Sequence, residues 1–140
     1  SEASASREAR ANLMVLGLTP WLLVALGGSL GAVSRYGIDR VMIGFMGPTV
    51  LGTFAVNITG SFLLGLFLTL SDERFGWSPE LRVLVAVGFL GSFTTFSTLT
   101  VASLQLAGSG EWQRAAINVI GSIAVGLIAA FLGIAAGRAV

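Results

Sequence analysis

The chain has 140 residues, 54% of them hydrophobic and only 11% charged, with no cysteine, no histidine and a formal net charge of +1. A soluble domain carries about 25% charged residues, so this composition excludes an ordinary globular protein and indicates one that lives in a membrane. The missing cysteines and histidines also exclude disulfides, thiol chemistry and imidazole-based metal or proton-transfer sites.

Marking every charge leaves four long uncharged runs, at residues 11–34, 41–71, 83–110 and 115–137. Each exceeds the roughly 20 apolar residues that cross a bilayer core of about 30 Å. The expected fold is therefore all-α and membrane-embedded, with four transmembrane helices at about 13–37, 49–70, 82–106 and 113–138 in one domain, 13–140. An even number of crossings puts both termini on one side. Residues 1–12, SEASASREARAN, read as a polar N-terminal extension that forms at most a short surface helix. They do not look like a secretory signal peptide, because the apolar run after Ala11 is full length and is followed by three more spans.

Helix one carries Gly27 and Gly31 at the GxxxG spacing, and Arg35 near its end is placed to snorkel or to cap carbonyls. Residues 41–48, interrupted by Gly47-Pro48, are expected to form a connection. Helix two stacks Asn57, Ser61 and Gly65 at intervals of four. A carboxamide at its centre must find partners, either in another helix or in a transported species. The linker SDERFGWSPELR supplies Ser78 as a helix cap and Pro79 as a first helical residue.

Helix three holds GSFTTFSTLT, Gly91 to Thr100, in which six of ten residues bear hydroxyls at the centre of an uncharged span. Glycines and a run of β-branched and hydroxyl residues weaken helix propensity there, so a break is expected at the midplane. Freed backbone groups at that depth must face protein, water or an ion. Carbonyl and hydroxyl oxygens suit a hard cation such as Na⁺, and hydroxyl and amide hydrogens suit a small anion. Phe93 and Phe96 flank the threonines, and an aromatic edge is positive.

Helix four runs Ser122, Gly126 and Ala130, with Asn118 one turn earlier. Its small-residue stripe, like those of helices one and two, predicts close helix packing and an oligomer. All eight basic residues are arginines, five on the side of the termini and three on the other. So slight a bias makes insertion in both orientations a real expectation.

Three segments, GGSLGAVSRYGIDR, GTFAVNITGSFLLG and GFLGSFTTFSTLT, together resemble the small bacterial fluoride channel family called Fluc or CrcB. The resemblance covers residues 22 to about 137 in order and spacing, and the GFxGxxTTFST element is highly specific. It implies a dual-topology homodimer of antiparallel four-helix subunits in the bacterial plasma (inner) membrane, with two fluoride pathways and a central structural Na⁺. The Na⁺ ligands would be the backbone carbonyls of Gly91 and Thr94 from each subunit.

The implied anion pathway comprises Asn57, Thr53 at its mouth, Phe96, Ser97, Thr98, Asn118 and Ser122, with Arg35 as the helix-one arginine. Two positions depart from the family pattern: Leu99 stands where a second pore phenylalanine is usual, and Asn118 where a tyrosine is common. The partners implied are fluoride, a second copy of the chain and the lipid bilayer, without nucleic acid, and the chain is no enzyme. A proton-coupled small-molecule exporter is the rival reading, but no Asp, Glu or His falls within the expected spans. A non-conducting assembly subunit would leave the hydroxyl cluster and Asn57 unexplained.

Overall fold

A computed structural model describes the backbone of residues 1–140 and all side chains except those of residues 13–16. Helix α1 (Glu2–Leu16) is separated from α2 (Leu18–Met46) by Gly17 in an extended conformation. Then follow α3 (Leu51–Thr69), a wider π-helix over Leu70–Phe75, the short α4 (Pro79–Arg82), a second π-helix over Val83–Leu90, and α5 (Gly91–Phe93). Helices α6 (Phe96–Gly108) and α7 (Trp112–Ala139) complete the chain. Four stretches, Leu18–Met46, Leu51–Phe75, Pro79–Gly108 and Trp112–Ala139, are long and apolar enough to cross a membrane.

The first span differs from the sequence reading. It begins at Leu18 and continues to Met46, so most of the connection expected at 41–48 is helical. The reason lies in where the stop signal stands: Val41–Met46 is an uncharged continuation, and Gly47 alone can take the positive φ of 73° that ends it. The Gly47 N–H donates to the Ile43 carbonyl at 2.8 Å, and Pro48 follows where no helix can continue. This extension brings Asp39 and Arg40 inside the helix, whereas the sequence reading left every acidic residue outside the spans. The other signals act as expected: Ser78 Oγ accepts the Leu81 N–H at 3.2 Å, with Pro79 in the first turn.

Two seams of near-backbone contact hold the spans together. In one, α3 packs along α7. A Cβ at Gly133 would lie 2.9 Å from the Leu66 nitrogen, and one at Gly137 would lie 2.8 Å from Thr69 Cβ. In the other, α2 lies on the π-helix of Val83–Leu90, and a Cβ at Gly27 would sit 2.9 Å from the Phe89 nitrogen. In lipid, where apolar side chains gain little from leaving solvent, such close backbone approach supplies the van der Waals attraction that joins helices. Large apolar side chains, among them Trp21, Phe45, Leu127 and Phe131, point outward.

Candidate functional site

Halfway along Pro79–Gly108 the chain leaves helical geometry for two residues. Thr94 has φ −89° and ψ 157°, and Thr95 has φ −151° and ψ 119°. The displaced backbone groups go to particular partners. The Thr95 N–H donates to Asn57 Oδ1 at 2.7 Å, and Asn57 Nδ2 donates to the Thr95 carbonyl at 2.9 Å. A single carboxamide on α3 thus satisfies both main-chain groups of one residue, which is the partner that a buried amide requires.

Helix α6 starts on Thr95 as its cap. Thr95 Oγ1 accepts the Thr98 N–H at 3.3 Å and lies 3.1 Å from Thr98 Oγ1 and 3.3 Å from Ser97 Oγ. The amides of Thr95 and Thr98 are the donors that a continuous helix would give to the carbonyls of Gly91 and Thr94. Both are turned elsewhere, to Asn57 and to the Thr95 hydroxyl. The intervening Ser92 carbonyl accepts Arg35 Nε at 3.1 Å.

Thr95 also lines two cavities. One, of about 230 Å³, is lined by Arg35, Tyr36, Asp39, Gly52, Thr53, Val56, Thr95 and Thr98. The other, of about 220 Å³, is lined by Asn57, Gly60, Ser61, Leu64, Thr94, Thr95 and Phe96. The Phe96 ring stands 72% exposed on the outer surface. Gly60 makes room for the Thr94 methyl group, because a Cβ there would overlap Thr94 Cγ2.

The expected site residues therefore fall into groups. Arg35, Thr53 and Thr98 share the first cavity, and Asn57, Thr94 and Phe96 share the second. Ser97 joins Thr98 along the exposed side of α6 with Val101, Ala102 and Gln105. Asn118 and Ser122 lie apart from both cavities, buried on α7. Asn118 Nδ2 donates to Ser103 Oγ at 2.9 Å, and Ser103 in turn donates to the Leu99 carbonyl at 2.8 Å. The Ser122 hydroxyl has no partner among the described residues. Leu99 is buried, and Phe93 is buried too, stacked on Phe89 at 5.7 Å, so Phe93 offers no ring at the surface where Phe96 stands.

Sequence reasoning missed Thr95, which is the hub of the arrangement. Its signal was present: threonine is a favoured residue just ahead of a helix, where its hydroxyl accepts an N–H three residues on. It also missed Ser103, the partner of Asn118, and Asp39, which entered the cavity when α2 proved longer.

Residues 22–134 match the family described as CrcB-like protein, Camphor Resistance (CrcB). A fluoride-specific ion channel FluC of Magnetococcus marinus is 42% identical over 116 residues, covering 82% of this chain and 94% of that protein. A FluC of Shewanella sp. (strain ANA-3) is 46% identical over 113 residues, 80% of this chain and 90% of its own. One from Rhizobium etli is 41% identical over 119 residues, 84% and 95% respectively. With four membrane-length helices and relatives of this kind, the chain is a multi-pass bacterial membrane protein and belongs to the CrcB family.

Proposed function

We propose that this chain is a subunit of a fluoride-specific ion channel in the bacterial inner membrane, through which toxic fluoride leaves the cell passively. It is a channel and not an enzyme. The observation that carries this reading is the pair of extended residues Thr94–Thr95, held by Asn57 beside two cavities lined with hydroxyls. Fluoride is strongly hydrated and enters only where other donors replace its water. The side of Phe96, Ser97 and Thr98 offers hydroxyl hydrogens and an aromatic edge, with the Thr98 amide already held by the Thr95 hydroxyl.

The subunits are read as an antiparallel, dual-topology homodimer, because Phe96, Ser97 and Thr98 lie on an open face that a second copy would enclose. Two copies would form two pathways, and Thr94–Thr95 would lie at the membrane midplane as the break of the third span. A structural Na⁺ fits the donors at hand. The carbonyls of Gly91 and Thr94 have lost their helical donors, and hard cations take such oxygens. Na⁺ would supply positive charge that joins two breaks, while Asn57 and Arg35 keep the neighbouring carbonyls of Thr95 and Ser92 occupied.

The test is fluoride efflux from proteoliposomes loaded with KF, read with a fluoride electrode after valinomycin, with KCl-loaded vesicles as control. Rapid electrogenic fluoride release with little chloride release is expected. Release that needs a proton gradient, or none from a folded dimer, would favour the exporter or the non-conducting subunit. Phe96→Ile is expected to slow fluoride release about two- to tenfold, the effect of losing roughly 0.5–1.5 kcal/mol of aromatic interaction. Its gel-filtration profile should stay unchanged, and wild-type flux would remove Phe96 from the pathway. Exchange of Na⁺ for Li⁺ is expected to weaken dimer assembly or flux, and indifference to the cation would count against carbonyl coordination at Gly91 and Thr94.

A further inference from the structure

The first cavity beside Thr95 contains a carboxylate, that of Asp39, for which the channel reading has no use. Arg35 and Asp39 stand four residues apart on α2, one turn above the other on the same face, and both line this cavity with Thr53 and Thr98. Arg35 commits Nε to the Ser92 carbonyl, and its two terminal nitrogens meet no protein partner among the described residues. Asp39 is held in place from two sides. Its Oδ1 lies against Gly52, 2.8 Å from where a Cβ would be, and its Oδ2 accepts from Arg40 Nη2 at 3.2 Å. Any larger residue at position 52 would push the carboxylate out of the cavity.

We propose that Asp39 is a built-in counter-charge to Arg35, which weakens the hold of this cavity on an entering anion so that the anion can move on toward Thr98 and Ser97. The proposal rests on the fluoride-channel reading. A conduction path must bind an ion well enough to admit it and loosely enough to release it. A lone guanidinium in a narrow cavity favours the first of these at the expense of the second, and a carboxylate one turn away restores the balance. Arg40, paired with Asp39 at the rim, sets how much of that negative charge the cavity feels.

Two substitutions then have opposite signs. Asp39→Asn leaves Arg35 unopposed and is expected to tighten fluoride binding about two- to fivefold, the range of an exposed charge pair. Arg40→Gln frees the carboxylate and is expected to weaken binding by a similar factor. Both effects should shrink at high ionic strength.

The experiment is a fluoride titration of the full chain in detergent micelles followed by ¹⁹F NMR, run beside the half-saturating fluoride for release from proteoliposomes. Opposite shifts in the two variants support the proposal. Identical affinities, shifts of the same sign, or no fluoride binding by any of the three proteins would overturn it. Should Asp39→Asn fail to fold, Arg40→Gln at its exposed position still decides, by weakening or not. Absence of electrogenic release in the wild type would sink the channel reading alone, since the binding comparison judges Asp39 separately.

Discussion

Replacing Asn57 with leucine is expected to remove most of the folded protein. The carboxamide holds the part-buried Thr95 N–H and carbonyl through bonds of 2.7 and 2.9 Å, midway along a membrane-length stretch. Each buried group left unpaired costs about 1–3 kcal/mol, so the two together remove about 2–6 kcal/mol. That is a large part of the roughly 5–15 kcal/mol that keeps a typical domain folded. The monodisperse fraction after detergent extraction and the thermal midpoint in the same micelle measure it. Asn57→Asp accepts the N–H but has no donor for the carbonyl, and should fall between wild type and leucine. A wild-type midpoint in Asn57→Leu would mean that the bridge contributes nothing to folding, and any loss of flux would then belong to the ion path itself.

Gly31→Ala should do comparable damage through sterics alone. A Cβ at Gly31 would overlap the Phe89 carbonyl oxygen and sit 3.0 Å from its carbon and 3.1 Å from the Phe93 nitrogen. These are main-chain atoms, with no flexible side chain to yield, so α2 must move away from the π-helix and from the Ser92 carbonyl that Arg35 reaches. Overpacking of this kind typically costs about 1–3 kcal/mol or more. Gly37→Ala on the same helix meets nothing within 4 Å and is expected to be neutral or stabilising, because alanine is the better helix former by up to about 1 kcal/mol. Thermal midpoints of the two variants settle the contrast, and equal midpoints would argue that the seam is more compliant than its spacing indicates.

The four spans were legible because charge is so costly in hydrocarbon that its absence over 20 residues speaks for itself. Local stop signals fared unevenly. Ser78-Pro79 reads correctly as a start, whereas Gly47-Pro48 marks only the end of a helix that the sequence reading stopped too soon. The weak helix propensity of GSFTTFSTLT was visible, but the pairing of Asn57 with Thr95 was not. That bond joins residues 38 apart in the chain, and nothing local in either segment specifies it. Asn118 illustrates the same limit, since its partner Ser103 lies on another helix and looks like any hydroxyl in a membrane span.

The π-helix at Val83–Leu90 has a consequence for how the chain must be counted. Each wide turn stretches the hydrogen bond to the fifth residue, as when the Gly91 N–H reaches the Ala86 carbonyl, and so it absorbs a residue beyond the α-helical number. Deleting one of these eight residues would let the segment relax into ordinary α-helix, because the residue removed is the one that the wide turn holds in excess. The helix beyond would keep its rotational phase, with Thr95 still facing Asn57 and Phe96 still on the outer face. A deletion within Phe96–Gly108, which has no wide turn, would instead rotate all that follows it by about 100° about the helix axis. The wide turns thus act as a reserve of chain length, and length variation within this span is expected at Val83–Leu90 before Phe96–Gly108.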